Sequence, residues 1–409
     1  MSLRPRLAKI VGTGVTEIGK LNRSASELME EAVEAALGQA GLKLRQLDGL
    51  VAVPSLSEPH FMEAHYIATR LGMLPNRGVT VRTIDTGGAG PVTGLLTAAS
   101  MVSSGASDAV VVVAGDAVSS LDTEEFLRRA DEACADPLRT QKSPVIPLGY
   151  DRIAAWQRET YGVTREQLAM VSVLMSRQAC RHPGALTTRE LTLEEVLGSK
   201  PVGANTSLLE CARRADGAAA VIVASSSFVE RELGPVPEGG GAGSQRSDVV
   251  VLAGGEASGP LYPPPVIDEE MFSCEEAAAR AMATAQLWPE DIDFFGLYDC
   301  FPICFLRAVE AVGLAEKGGG GAWVEAMYHK TMDSETYSPD DFPVNTHGGL
   351  LAFGAPWETP AMFNVIEAVD QLSDRAGKRQ LTKPRRALVY GNGGIFSHSA
   401  VAILGRGRG

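Results

Sequence analysis

The feature that most constrains this fold is an internal repeat at a spacing of 245 residues. Moving the N-terminal segment by that amount aligns Ala32 with Ala277, Ala36 with Ala281, Leu42 with Leu287, Leu47 with Ile292, Asp48 with Asp293 and Leu50 with Phe295. Residues 387–391 likewise repeat the apolar pattern of residues 109–114. Because self-similarity at a fixed spacing indicates a repeated unit, the sequence predicts two β-α-β-α-β halves stacked around shared central helices. The alternative is chance likeness between amphipathic helices rich in Ala and Leu.

Strand and helix signals alternate along both halves, which indicates an α/β fold. Residues 110–113 are four consecutive valines, a run typical of a strand buried on both faces of a parallel sheet. We expect an N-terminal half at 1–120 that is completed by 213–233, an inserted loop domain at 121–212, a linker at 234–247 and a C-terminal half at 248–409.

A glycine-rich turn between a strand and a helix is the main candidate site. A β-branched run at 81–84 meets the turn DTGGAG at 85–90, which we call the elbow, and a helix of small residues begins at Pro91. In such a turn the amide N–H groups of the following helix point at any oxyanion bound there. A catalytic elbow usually carries a Ser or Cys nucleophile, whereas here Thr86 is the one hydroxyl candidate. The geometry predicts an enzyme, but one whose elbow lacks the usual nucleophile.

Charge and hydropathy exclude other classes of function. The formal net charge is −13, and a nucleic-acid site needs a basic face, so we expect no nucleic-acid partner. No stretch approaches the roughly 20 apolar residues that span a bilayer, and the start lacks the apolar run of a signal peptide, so we expect a cytoplasmic protein that has no membrane association. Six cysteines without a CxxC pair predict neither a disulfide framework nor a metal site.

Several motifs, taken in order, resemble those of the thiolase superfamily near its sterol-carrier-type branch. Besides the elbow they are YGVTREQLA at 161–169, DGAA at 216–219, YDCF at 298–301, NTHGG at 345–349, GAP at 354–356 and GNGG at 391–394. The resemblance covers essentially the whole chain. It implies a thiolase-like fold layered α/β/α/β/α, a coenzyme A thioester as substrate, no permanently bound cofactor and a homodimer.

The departures from the family are chemical. The resemblance, aligned on Gly90, places Gly87 where condensing thiolases carry the cysteine that takes up the acyl group. It also places Gly391 at the second family cysteine and Ala355 at the family histidine. Because glycine cannot form a thioester and all three groups of the ping-pong mechanism are missing, we expect no ordinary thiolytic chemistry at these positions.

The remaining polar residues supply the candidate site. Tyr298, Asp299 and His347 are candidate catalytic bases, since the family lines its active site with these motifs. The candidate substrate-binding residues are Gly87, Gly88, Asn345, Gly348, Gly349, Gly393 and Gly394. Tyr298 and Asp299 could instead cap the helix that begins near Phe301. His347 could be a structural loop histidine, and we interpret His398 as structural. Cys300 stays open as a substitute nucleophile at a helix start, although it also fits a core thiol.

Three functions follow from these residues. The first is retro-aldol cleavage of a β-hydroxyacyl-CoA, because YDCF, NTHGG and the missing elbow cysteine look like the thiolase-like aldolases. As a group those work with a small partner made of an OB-fold and a zinc ribbon, and the resemblance implies such a partner here. The second is an acyl-CoA acyltransferase, similar to acetyl-CoA acetyltransferases, that uses another nucleophile. The third is a non-catalytic acyl-CoA-binding or structural subunit.

Overall fold

A computed structural model describes residues 6–234, 246–332 and 337–407. The central part of the predicted linker, residues 235–245, lies outside the described residues. The described helices are too short or too polar to cross a membrane.

Nine strands and thirteen helices follow one another along the described chain. The strands are β1 (Ala8–Val15), β2 (Gly49–Ala52), β3 (Thr80–Thr83), β4 (Ala109–Ala117), β5 (Asp216–Ser225), β6 (Val249–Ser258), β7 (Phe294–Leu297), β8 (Arg386–Gly393) and β9 (His398–Arg406). The helices are α1 (Ala25–Ala40), α2 (Glu63–Arg70), α3 (Gly90–Ser104), α4 (Thr123–Ala133), α5 (Val145–Tyr161), α6 (Arg165–Ala179), α7 (Leu193–Leu197), α8 (Ser226–Phe228), α9 (Ser273–Ala285), α10 (Pro302–Ala311), α11 (Gly320–Met332), α12 (Gly349–Ala352) and α13 (Pro360–Leu372).

The strands form one mixed sheet in the order β3-β2-β4-β5-β1-β6-β9-β8-β7. The first half supplies β3 to β1 and the second half supplies β6 to β7. Two residue pairs join the halves, Lys9 with Val250 and Ile10 with Val249. All nine residues of β4 are buried, as the valine run predicts. The expectation that β4 lies in a parallel sheet is correct on one side only, because β4 is parallel to β2 and antiparallel to β5.

Helices cover the outer face of each half of the sheet and fill the space between the two halves. Helix α1 packs on β1, β4 and β5, and α9 packs on β6 and β9. Helix α3 contacts strands of both halves, β4 and β5 as well as β8 and β9, and α13 packs on β7, β8 and α3. This arrangement is the predicted α/β/α/β/α layering around shared central helices.

The predicted repeat is visible in matching local contacts. A Cβ on Gly14 would lie 2.1 Å from the Ala32 carbonyl oxygen, and a Cβ on Gly255 would lie 2.3 Å from the equivalent oxygen of Ala277. In both halves, therefore, the first helix lies directly against a strand glycine. The paired aspartates also match: Asp48 accepts hydrogen bonds from the amides of Asp108 and Ala109, where β4 begins, and Asp293 accepts from the amides of Arg385 and Arg386, where β8 begins.

The segment between β4 and β5 holds helices α4 to α7. Helices α5 and α6 pack on α10, and α6 also packs on α11 and α12. Strand β5 then returns to the sheet, where it lies between β4 and β1. The carboxylate of Asp216, at the start of β5, accepts hydrogen bonds from the backbone of Leu21, Ser119 and Ser120. One side chain thus fastens the loop after β1 to the loop after β4.

Candidate active site

The elbow forms between β3 and α3, as the sequence predicts. Strand β3 ends at Thr83, residues 87–89 make one turn of 3-10 helix, and α3 begins at Gly90. Gly87 has a φ of 59°, a left-handed conformation that favours glycine. The hydroxyl of Thr86 donates to Thr93, whose hydroxyl donates to Glu256 at 2.6 Å. The elbow hydroxyl is thus committed to this hydrogen-bond chain, and the described elbow presents no free nucleophile.

A second glycine turn packs against the elbow. It comprises residues 391–394 at the end of β8, and we call it the late turn. A Cβ on Gly87 would lie 3.0 Å from the Cα of Gly393 and 3.0 Å from the amide nitrogen of Gly394. A Cβ on Gly393 would lie 1.9 Å from the carbonyl oxygen of Thr86. The structure therefore brings Gly87, Gly393 and Gly394 together, backbone against backbone.

Tyr298 lies over the elbow. It follows β7 directly and is buried. A Cβ on Gly88 would lie 2.0 Å from the Tyr298 hydroxyl oxygen and 2.6 Å from the carbonyl oxygen of Asn392. The phenol thus occupies the space into which an elbow side chain would project. The tyrosine thus packs on Gly88, whereas Gly87, at the position of the family cysteine, packs on the late turn.

Tyr298 is a neutral phenol near pH 7. Burial raises the pKa of its hydroxyl well above the ordinary value, and the nearby thiols of Cys300 and Cys304 and the carboxylates of Glu358 and Asp299 add to this effect. A neutral phenol can donate a hydrogen bond to an oxyanion. The electrostatics therefore favour Tyr298 as a donor rather than as a proton acceptor.

A hydrogen-bonded network of two further tyrosines holds the late turn. The Tyr150 hydroxyl donates to the carbonyl oxygen of Gly394 at 2.8 Å, and the Asn392 amide donates to the Tyr150 hydroxyl at 2.6 Å. Tyr390 donates to the Asn392 side-chain oxygen at 3.0 Å. Sequence reasoning missed Tyr150, because it lies in α5 without a motif around it. The network fixes the backbone that faces the elbow.

Asp299 caps a helix, but not the one predicted from the sequence. Its carboxylate accepts hydrogen bonds from the Leu350 amide at 2.7 Å and the Leu351 amide at 3.4 Å, at the start of α12. Helix α10 has Phe301 at its N-cap, with no side-chain cap hydrogen bond. Gly349 has a φ of 59°, and a Cβ there would lie 2.2 Å from the carboxylate. Asp299 is therefore placed to position the loop before α12.

The buried Asp299 predicts a pH dependence of stability. Burial raises the pKa of this carboxyl from 3.8 to about 7, so the folded state keeps a proton that the unfolded chain releases. This contribution to stability is lost as the pH rises from about 4 to about 7. Asp299→Asn stays neutral and retains an acceptor for Leu350. Urea unfolding at a series of pH values should show a shallower decline for the variant, and equal slopes would contradict the prediction.

Asn345 and Gly348 shape the same loop rather than face the elbow. The side chain of Asn345 accepts from the Leu297 amide at 2.7 Å and donates to the Leu297 carbonyl at 2.8 Å, which extends the hydrogen bonding of β7. Gly348 has a φ of 110°, and a Cβ there would lie 2.6 Å from the Cβ of Ala179 in α6. With Gly349 beside Asp299, three predicted substrate-binding residues have structural contacts here.

His347 lies in a buried setting of its own. Its ring packs edge-on to Phe353 with centroids 5.3 Å apart. Burial lowers the pKa of His347 to about 3, although the nearby Glu367 opposes the shift. Glu367 is paired with Arg379 at 2.9 Å, and the Nδ1 atom of His347 has no hydrogen-bond partner among the described residues. These contacts do not bring His347 together with Tyr298, and so do not favour it as the base.

The remaining candidate residues, His398 and Cys300, are both partly buried. His398 lies between Glu256 and Ser258, with ring nitrogens 3.3 Å and 3.2 Å from their side-chain oxygens. Cys300 is partly buried, and Cys304 is buried in α10. In the part of the chain that the structure describes, no three His, Cys, Asp or Glu side chains cluster in a way that could hold a metal ion.

Comparisons with known proteins match this layout. A family model described as "Thiolase C-terminal domain-like" matches residues 267–406. An acetyl-CoA acetyltransferase of Methanothermobacter thermautotrophicus is 31% identical over 404 residues, covering 97% of this chain and 99% of the relative. Sterol carrier protein 2 of Bos taurus is 27% identical over 400 residues, covering 94% of this chain and 69% of the relative.

Solved structures share the fold. One described as an "Ltp2-ChsH2(DUF35) aldolase" has a TM-score of 0.78 at 24% identity, and the match covers 100% of both chains. Human mitochondrial 3-ketoacyl-CoA thiolase has a TM-score of 0.68 at 14% identity and covers 98% of this chain and 99% of its own. The stacked halves, the elbow between them and a relative matched over nearly its whole length lead to one conclusion: this chain belongs to the thiolase superfamily, in its sterol-carrier-type branch.

Proposed function

We propose that this protein cleaves a carbon–carbon bond of a β-hydroxyacyl-CoA by a retro-aldol reaction, without a covalent acyl-enzyme. The observation that carries the proposal is the Tyr298 hydroxyl, which lies directly over Gly88, the neighbour of Gly87 at the position of the family cysteine. A thiolase elbow with glycine at position 87 cannot take up an acyl group. A tyrosine donor over the elbow suits a reaction that passes through an enolate.

The retro-aldol step requires charge stabilisation more than nucleophilic attack. A base takes the proton of the β-hydroxyl group, the bond between Cα and Cβ breaks, and the thioester becomes an enolate. The elbow amides at the start of α3 and the neutral phenol of Tyr298 would donate to that enolate oxygen. Asp299 serves here as a positioning residue, because its hydrogen bonds hold the loop before α12.

The proposal includes two protein partners. The similar solved structure is described as an aldolase whose name joins two proteins, and this supports a small OB-fold and zinc-ribbon partner for this chain. A second copy of the chain is also proposed. Strand β3 is the last strand at one end of the sheet, and Thr80, Arg82 and Thr83 are exposed there. Such an edge can pair with another strand.

A second candidate function is acyl transfer. The relative from Methanothermobacter is named an acetyl-CoA acetyltransferase, and a transferase would need a nucleophile outside the elbow. Cys300 is partly buried and lies near enough to Tyr150 and Tyr298 to raise the pKa of both phenols. Cys300 is therefore the residue that this alternative would use.

One experiment separates the candidates. The protein is incubated with β-hydroxyacyl-CoA thioesters of increasing chain length and with acetyl-CoA, and products and intact protein mass are followed by mass spectrometry. We expect a ketone or aldehyde together with a shortened acyl-CoA, and no mass increase of the protein. An acyl adduct that disappears in Cys300→Ser would establish the transferase instead. Binding of CoA without either product would leave a non-catalytic acyl-CoA-binding subunit.

A further inference from the structure

Glu358 lies where α13, one of the two helices between the halves, meets the elbow. It belongs to the turn between Ala355 and α13, in which the Thr359 amide donates to the Pro356 carbonyl at 2.9 Å. A Cβ built on Gly391 would lie 3.0 Å from Ala89 of the elbow and 3.5 Å from the side chain of Ala361 in the first turn of α13. The first turn of α13 and the elbow therefore pack against the same residue of the late turn and against each other.

The Glu358 side chain is half-buried, and one of its carboxylate oxygens lacks a hydrogen-bond partner. Its Oε2 atom is buried and accepts no hydrogen bond within the described residues. Asp116, which is nearby, differs in this respect, because it accepts from the Ser55 hydroxyl and from the amides of Leu56 and Ser57. A buried carboxylate oxygen without a donor is costly, so its retention points to a role in function.

The groups that face Glu358 are anionic or neutral. They are the carboxylates of Asp85 and Asp116, the Tyr298 phenol, the Cys134 thiol and the Trp357 indole. Burial and the two aspartates hold the pKa of Glu358 well above its usual value, and the Trp357 side chain opposes this in part. No cation appears among these groups, which distinguishes Glu358 from buried carboxylates that have a structural partner, such as Glu367 with Arg379.

We propose that Glu358 is the catalytic base of this site, with a buried carboxylate oxygen that accepts no hydrogen bond within the described residues, in the turn where α13 meets the elbow. The proposal rests on the retro-aldol function proposed above. The carboxylate takes the proton from the β-hydroxyl oxygen, whose electrons form the new carbonyl as the Cα–Cβ bond breaks. The electrons of that bond form the thioester enolate, to which Tyr298 donates a hydrogen bond. The protonated Glu358 then returns its proton to Cα, so the shortened acyl-CoA and the ketone or aldehyde leave an unchanged enzyme.

The direct test replaces the base and its charged neighbour separately. Glu358→Gln keeps the shape but cannot accept the proton, and we expect kcat to fall by about 100-fold or more while KM stays within about 3-fold. Asp85→Asn removes an exposed negative charge that raises the pKa of Glu358. The acidic limb of the pH–rate profile should therefore move to lower pH. The control is Glu34→Gln, an exposed carboxylate on α1, which should change neither kcat nor the profile.

A second reaction tests the role of Glu358 without relying on the cleavage assay. Propionyl-CoA is incubated with the protein in D2O, and deuterium uptake at Cα is measured by mass spectrometry, because the same base would exchange that proton. Loss of cleavage and exchange in Glu358→Gln, with the profile shift in Asp85→Asn, supports the proposal. If the wild type shows exchange but no cleavage, and Glu358→Gln abolishes that exchange, the retro-aldol function is refuted but Glu358 remains the base. The proposal is overturned if the rates of Glu358→Gln are unchanged or if the pH–rate profile of Asp85→Asn does not move. It is also overturned if the wild type shows neither exchange nor cleavage.

Discussion

Replacing Tyr298 with phenylalanine is expected to lower kcat about 100- to 1,000-fold, the cost of losing one donor to a developing oxyanion. Within the described residues the Tyr298 hydroxyl makes no hydrogen bond, so its removal should leave the melting temperature nearly unchanged. KM should change little, because the donor acts mainly on the enolate. Cleavage kinetics and thermal unfolding of the same preparation check both expectations.

Tyr150→Phe is the matched control for this variant. Its hydroxyl accepts from Asn392 and donates to the Gly394 carbonyl, so the replacement removes two hydrogen bonds in the buried network. We expect destabilisation of about 1–3 kcal/mol, the cost of unpaired buried polar groups. If Tyr298→Phe retained the wild-type kcat, the phenol over the elbow would not be the oxyanion donor and the proposed mechanism would be wrong.

Replacing Gly88 with alanine is expected to abolish most activity and to destabilise the fold. The new Cβ would lie 2.0 Å from the Tyr298 hydroxyl oxygen and 2.6 Å from the Asn392 carbonyl oxygen, so the ring and the late turn must both move. Overpacking of this kind costs about 1–3 kcal/mol. We expect kcat to fall as far as in Tyr298→Phe, as measured by the cleavage assay, and the free energy of unfolding to fall as measured in urea.

Gly38→Ala provides the control, because a Cβ at this position in α1 would have no heavy atom within 4 Å. It should be neutral or stabilising, since alanine favours a helix over glycine. The double variant Gly88→Ala with Tyr298→Phe should be no slower than either single variant if both act through the phenol. Additive losses in kcat would show that Gly88 affects catalysis by a different route.

The sequence predicts well those features that local patterns determine. The valine run, the elbow and the late turn follow from residue types within about ten positions, and the structure contains each of them. The repeat of 245 residues predicts the two stacked halves, and the repeated alanines Ala32 and Ala277 each lie against a strand glycine in the structure. The antiparallel side of β4 was not predicted, because its partner β5 is separated from it by the whole inserted segment.

The site was harder to predict, because it depends on contacts between distant segments. Asp299 precedes α10 in sequence, yet its carboxylate caps α12, about fifty residues away. His347 has the right chemistry for a base, but its surroundings are Phe353 and the Glu367–Arg379 pair. Glu358 stands alone in its turn without a recognisable spacing to any other polar residue. A pattern read along the chain cannot show which side chain lacks a partner.

The pairing of β1 with β6, which joins the two halves of the sheet, affects the order in which the strands can pair. Strand β1 lies between β5 and β6, although it is the first strand in sequence. Its neighbours on both sides come more than two hundred residues later, at Asp216–Ser225 and Val249–Ser258. During synthesis β1 therefore emerges long before either partner, and its backbone groups stay unpaired until β5 emerges on one side and β6 on the other. A fragment that ends before residue 216 would lack the strand that joins β1 to β4, so residues 1–215 are not a self-sufficient folding unit.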